Sequence, residues 1–394
     1  MNGRQKAGPP LQWLQFRVLS IGAVGLLGLV IGAFSSTQQF YQSYLFGYLF
    51  WVLLALGCLG VLLLHHLVSG AWGHVIQRMM EAGARTLPAM ALLFIPLLIG
   101  VQNLFPWSRS GDVAASEAIQ KKVAYLNVPF FIARAAAFFV VWSAVAFLVS
   151  RWSRAQDKSA DPALTRRIRT LSGPALVVFA LTVTFAGVDW MMSLEPEWYS
   201  TIYGMLVIVS AVLSTLAFGI IGVRLLSGYE PFSGILTSRH YHHLGNLLFA
   251  FTILWAYMAF SQYLIIWSGN EVEDNFWYIR RLDAGWQAVA VLLLVGHFFV
   301  PFLLLLSRKT KRAIHILALI AGGILVMRLV DLFWLVMPAF NEHRMQFHWL
   351  DVAAPLGIGG VWLAVFLQQL KGSPLLPLHD PRFNEKAENI HSVD

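Results

Sequence analysis

The chain has almost no cysteine. Cys58 stands alone among 394 residues, which excludes a disulfide within the chain and an iron–sulfur cluster ligated by this chain. Charge is scarce as well. Asp, Glu, Lys and Arg make up 12% of the residues, against 58% hydrophobic, whereas soluble domains carry about 25% charged residues. So few charges cannot clothe so much apolar side chain in water, and lipid must be the main solvent. Also missing are a Gly-rich phosphate loop, an HExxH pair, a nucleophile elbow and a CxxC pair. The basic stretch of Arg4, Lys6 and Arg17 precedes an apolar run with no clear small-residue cleavage site, so that run is expected to be retained.

What is present is a series of apolar runs. Ten approach the roughly 20 residues that a bilayer-crossing helix needs. They cover approximately 14–34, 46–68, 87–105, 128–150, 172–193, 200–226, 242–268, 281–306, 313–337 and 349–370. The expected fold is an all-α integral membrane protein of about ten transmembrane helices, with no length left for a soluble catalytic domain. Ahead of the third run, Trp72, Val75, Ile76, Met79 and Met80 fall on one helical face and His74, Gln77, Arg78 and Glu81 on the other. That pattern predicts a short helix in the cytoplasmic interface, capping the bundle.

A net charge of +8 would fit a nucleic-acid binder in another composition, but here topology accounts for it. With the N-terminus in the cytoplasm, most of the 28 Lys and Arg fall on the inner side. Only Arg109, Lys121, Lys122, Arg280, Arg281 and Arg344 fall outside, and Arg134 and Arg328 lie within the membrane. This satisfies the positive-inside rule with both termini cytoplasmic. No nucleic-acid partner is expected; membrane lipids surround the chain, and the basic runs read as a topology signal, with contact to anionic lipid only a minor second reading. The polar segment past Lys371, with Pro374, Pro377 and Pro381, is expected to be extended and cytoplasmic.

The most informative stretch is FAGVDWMMSLEPEWYSTIYG, residues 185–204. Asp189 lies in its apolar part with no sequence neighbour to neutralise it. A carboxylate in hydrocarbon costs about 2.5–3.5 kcal/mol on insertion scales, so it must face a bundle interior, a partner or water. The arrangement returns in LVDLFWLVMP, where Asp331 precedes Pro338 by seven residues, as Asp189 precedes Pro196. LVSGAW at 67–72 is matched by LLSGYE at 225–230, and QNLFPW at the end of span three by SQYLIIW at the end of span seven. These matches make spans two to five and six to nine two copies of a four-helix bundle. An even number of spans per copy gives both the same orientation, a parallel repeat about the membrane normal. The resulting divisions are 1–45 for the N-terminal tail and first span, 46–199 and 200–340 for the two bundles, and 341–394 for the last span and tail. Spans one and ten are peripheral additions.

The ionisable residues inside the spans are the candidates for chemistry. Arg134 and Asp189 fall at similar depth on neighbouring spans and can pair. Arg328 and Asp331 are spaced i, i+3 on span nine and share a helix face. Each pair reads equally as a structural ion pair or as a protonatable station tuned by its arginine. His297 lies within span eight. His240, His242 and His243 gather at the start of span seven, near the level of His65 and His66. With Glu195 these groups scatter titratable sites across the membrane, as a proton path needs, although boundary histidines also serve as plain anchors. A b-type haem usually needs two axial histidines at matched depth. Only His297 is deep, so no haem is expected here, and no catalytic or metal-ligating residue is singled out. The aromatic groups Trp190, Trp198 and Tyr199, Trp255, Tyr257 and Tyr263, and Trp267, Trp277 and Tyr278 suit interfacial belts first. A flat quinone ring could also stack on them.

VDWMMSLEPEWYSTIYG, the SGAW–HVIQRMMEAGARTLP segment and the ten-span layout resemble the NrfD/polysulfide-reductase family of integral membrane subunits. Within that family the resemblance is to the subunits of alternative complex III, the bacterial quinol:cytochrome c oxidoreductase. It covers nearly the whole chain, and the matching motif positions are Asp189, Trp190, Ser193, Glu195 and Pro196. The resemblance implies two four-helix bundles with no redox centre of their own, in a bacterial inner membrane. It implies as partners a sister NrfD-like subunit, an iron–sulfur subunit, and multihaem and monohaem cytochrome c subunits. Quinol, haem c and iron–sulfur clusters would then belong to those partners, and this chain would have a role in proton translocation or assembly. Two other classes fit the residues alone. A secondary transporter suits parallel repeats with intramembrane charges, though Pro96, Pro301 and Pro355 mark no matched pair of broken helices. A purely structural membrane scaffold would need its buried charges only to pair.

Overall fold

The computed structural model describes residues 11–159, 161–341 and 344–377. Arg4, Lys6 and the tail positions Pro381, Arg382 and Lys386 lie outside the described residues. Among the described residues, ten helices are long and apolar enough to cross a membrane, and the chain is a multi-pass, all-helical membrane protein. They are α1 (Leu11–Ser35), α2 (Thr37–Val68), α3 (Trp72–Ile99), α4 (Val128–Ser159), α5 (Pro162–Leu194), α6 (Tyr203–Leu226), α7 (Ser238–Gly269), α8 (Trp286–Leu306), α9 (Ile314–Ala339) and α10 (Leu350–Lys371). Helix is forced on these runs because lipid offers no partner for backbone amides and carbonyls. Local signals set the ends. Asp161 accepts the Ala163 amide at 2.8 Å with Pro162 following it into α5, and α2 and α7 stop at the left-handed Ser69 and Asn270. One end of the bundle carries the start of α1 and the end of α10, and is called the terminal face. The other carries residues 105–127 and is called the loop face.

α2 and α6 form the centre. Their most apolar windows are 89% and 78% buried, against 22% for α1. They cross closely enough that a Cβ on Gly57 would stand 2.3 Å from the Ala211 carbonyl, while Thr215 Oγ1 donates to the Leu54 carbonyl at 3.1 Å. Corresponding pairs touch in both halves: α2 with α5 and α6 with α9, α4 with α5 and α8 with α9. α1 and α10 pack antiparallel on each other and then on α2. Their crossing is glycine on glycine, and a Cβ on Gly25 would lie 2.3 Å from the Gly357 nitrogen. α10 is the more deeply set of the two, with Trp362 fully buried against Phe366 and Trp51.

Two expectations need correction. The helix Ala71–Ala84 does not lie in the interface as a half-exposed cap. It forms the first half of α3, and residues of both its faces are buried, with Val75 and Met80 at 1% exposure and Gln77, Arg78 and Glu81 at 2–3%. α2, α6 and α10 cover its apolar side, while α4 supplies polar partners to the rest. Nor are the aromatic groups all interfacial. Tyr199, Tyr257 and Trp267 are exposed, but Trp190, Trp198, Trp255 and Trp277 are core side chains.

Candidate functional site

The ionisable residues singled out in the sequence sort into four places. In the first half, Arg134 of α4 reaches Asp189 of α5 with both arms, Nε to Oδ2 at 2.8 Å and Nη2 to Oδ1 at 3.0 Å. Its remaining Nη1 donates to the Tyr125 carbonyl at 2.8 Å, and the guanidinium lies 3.8 Å from the centre of the Tyr125 ring. Both carboxylate oxygens are therefore held by a planar donor fork. Trp190 then seals the bundle, stacked on Phe139 at 5.7 Å and packed on Phe94 and Trp142. Aromatic side chains therefore pack closely around this pair.

The second half is built differently. Arg328 Nη1 pairs with Asp331 Oδ2 on the same helix, and both residues are buried. Asp331 Oδ1 and Arg328 Nε have no hydrogen-bond partner among the described residues. Beside them α8 is distorted. Residues Leu294–Phe299 form a π turn just before Pro301. Proline lacks an amide and its ring clashes with the carbonyl four residues back, here that of His297, so the regular ladder cannot run through. The turn packs on α9, where a Cβ on Gly296 would lie 2.8 Å from Met327 Sδ. His297 is wholly buried in this turn, edge-on to Trp255 at 4.2 Å, and neither ring nitrogen has a hydrogen-bond partner among the described residues. An imidazole kept there without a partner is costly, and packing alone gives no reason for it. Next to this group is a cavity of about 700 Å³, lined among others by Trp255, Gln262, Tyr278, Phe298, Asp331 and Trp334.

The third place is the joint between the halves on the loop face. Glu195 accepts from Arg280 Nη1 at 2.9 Å and from Arg281 Nη2 at 2.5 Å. Arg281 is fully buried, lies 3.6 Å over Trp277, and also donates to the Leu335 carbonyl at 2.9 Å. Trp198 stacks on Trp277 at 4.5 Å. Lys122 donates to the Pro196 carbonyl at 2.5 Å. Burial holds its ammonium below the usual lysine range, and Glu197 opposes that shift. The SLEPEW segment thus ties α5 to the helix Val272–Leu282 and so to the second half.

The fourth place is the terminal face. His242 and His243 lie there with rings 6.2 Å apart, His242 near Asn246 at 3.4 Å, while the neighbouring His240 caps α7 through Thr237. A more buried cluster there escaped the sequence reading. Arg78 donates to Glu81 at 2.8 Å and pairs with Asp157, and Ser153 donates to Glu81 at 2.6 Å. His65, His66 and His74 are packed beside one another, the His65 and His74 rings 4.8 Å apart. The signal available was the polar face of HVIQRMME, whose charges required partners once that helix was placed inside. Asp351 was also missed. It accepts from Ser43 at 2.5 Å and from the His348 amide at 2.8 Å.

The structure therefore brings Arg328, Asp331 and His297 into one neighbourhood and Arg134 with Asp189 into another. It leaves His242 and His243 on the terminal face, while Glu195 is joined to α9 through Arg281, which also donates to the Leu335 carbonyl. Among the described residues, no three His, Cys, Asp or Glu side chains are placed to hold a metal ion. No family model matches the chain, and no curated protein matches it.

Proposed function

We propose that this chain is a membrane subunit of the NrfD/polysulfide-reductase type, an ActF-like component of a quinol:cytochrome c oxidoreductase of the alternative complex III kind. In this reading it sits in a bacterial inner membrane with both termini cytoplasmic. It assembles with a sister subunit, an iron–sulfur subunit and cytochromes c, which hold the redox centres, and it passes protons through its second half. The observation that carries the proton role is the Arg328–Asp331 pair, buried on α9 with one carboxylate oxygen uncommitted and the unpartnered His297 on the adjoining π turn. A charge change at a neighbouring redox site would shift the proton affinity of such groups. The first half serves a different purpose. Asp189 is held at both oxygens and sealed by Trp190, which suits a fixed structural pair.

The transporter reading gains little. α3 is interrupted at Phe94 and α8 at its π turn, but these helices do not correspond in the repeat, whereas a midplane substrate site needs matched breaks. Purification from native membranes in mild detergent tests the assignment. The expected result is stoichiometric multihaem cytochrome and iron–sulfur protein, seen by mass spectrometry and haem absorption. A colourless chain that purifies alone would overturn it.

A further inference from the structure

Two arginines near the terminal face carry charge that no carboxylate of the described residues balances. Arg85 of α3 and Arg154 of α4 are half-buried, and Arg85 feels the repulsion of Arg154 more strongly than the attraction of Glu81. Glu81 and Asp157, one turn away from them in sequence, are both paired with Arg78. Among the described residues the Arg85 side chain forms no ion pair or hydrogen bond. That of Arg154 bonds only the Ser150 carbonyl of its own helix, at 3.3 Å. Like charges held together in partly desolvated positions are costly, and an anion beside them removes the cost.

The surroundings select the anion. Arg85 belongs to a groove of about 350 Å³ between α3, α4 and α10. Along α3 its wall continues through Pro88 and Ala89 to Leu92, and Phe147 of α4 and Val365 of α10 complete the apolar part. Leu92 and Phe147 are exposed on apolar spans, so the groove opens to lipid. The apolar runs of these three helices begin or end beside Arg85, Ser150 and Leu370. The guanidinium therefore stands at head-group level and the apolar wall reaches into the hydrocarbon. Ser143 and Gln369 also line the groove, with side chains that have no hydrogen-bond partner among the described residues, and they suit the oxygens of a glycerol ester. A soluble anion would leave the apolar wall bare, and a neutral lipid would leave the arginines unbalanced. A zwitterionic head would add an ammonium where both nearby carboxylates are already taken.

We propose that this groove binds one anionic phospholipid, its phosphodiester taken by Arg85 and Arg154 and one acyl chain lying along Pro88, Leu92 and Phe147. Arginine forks are well matched to phosphate oxygens, and basic pockets between spans are where such head groups dock. The site is separate from the Asp331 cavity and requires no movement of electrons or protons, so it stands independently of the respiratory reading.

The test uses the full chain with the partners it retains, stripped of lipid by extensive washing in detergent. Phosphatidylglycerol, phosphatidylcholine with the same acyl chains, or inorganic phosphate is then added back. Native mass spectrometry counts bound lipid, and the thermal unfolding midpoint is recorded. Phosphatidylglycerol should bind and raise the midpoint, while phosphatidylcholine and inorganic phosphate at the same concentration do neither. The double variant Arg85→Gln, Arg154→Gln should bind phosphatidylglycerol roughly tenfold or more weakly. Its lipid-free midpoint should stay at or above the wild-type value, because only a repulsion has been removed. If that variant fails to fold, wild-type protein is labelled with photoactivatable phosphatidylglycerol, and adducts within residues 85–92, 143–147 or 365–369 are expected. Equal binding of phosphatidylcholine, equal stabilisation by inorganic phosphate, unchanged phosphatidylglycerol binding by the folded double variant, or adducts confined to other segments would overturn the proposal.

Discussion

Asp189 and Asp331 stand seven residues before Pro196 and Pro338 and are used in opposite ways. Arg134 closes both oxygens of Asp189, so Asp189→Asn leaves a buried guanidinium without its counter-charge. Removing one partner of such a pair costs about 3–5 kcal/mol. The thermal unfolding midpoint of the detergent-solubilised protein should fall clearly, and an unchanged midpoint would mean that the pair holds nothing. Arg281→Ala is the parallel case at the joint. It strands the buried Glu195 with Arg280 alone and should lower stability by a comparable ~3–5 kcal/mol, whereas Lys122→Ala should lower it far less. The first pair was legible in the sequence, because depth on adjacent spans matches Arg134 to Asp189. The second was not. Eighty-six positions separate Glu195 from Arg281, both lie in connecting segments without helical period across them, and only the folded connection brings them together.

Among the helices, hydropathy was enough to find all ten spans, because a bilayer-crossing run leaves little choice of structure. It was not enough to place the helix Ala71–Ala84, whose amphipathic pattern is the same for a surface helix and for a buried helix with a polar neighbour. The deciding residues, Ser153 and Asp157, lie on α4. The π turn of α8 was equally hidden, since Pro301 announces a distortion but not its kind. The crossing of α1 and α10 offers a direct test of element packing. Gly25→Leu cannot be accommodated against the Gly357 backbone, and overpacking of this sort costs about 1–3 kcal/mol. Limited proteolysis should then cut α1 free while α2 and α6 stay protected. Equal protection of α1 in variant and wild type would contradict the crossing.

At the scale of the molecule, the two halves share a helix arrangement and differ in what fills them. In the first, aromatic side chains pack around a closed ion pair. The second keeps a cavity, an open carboxylate oxygen and a buried imidazole along α8 and α9. The most direct test of the proton role is the proton yield per electron of the assembled complex in sealed vesicles, wild type against Asp331→Asn. Asparagine keeps the size of the side chain and removes its proton. Arg328 then loses its counter-charge, so the variant is compared as complex that has assembled. The account predicts quinol-dependent electron flow in that complex with a reduced proton yield. An unchanged yield at unchanged electron flow would contradict it and leave α9 a structural helix.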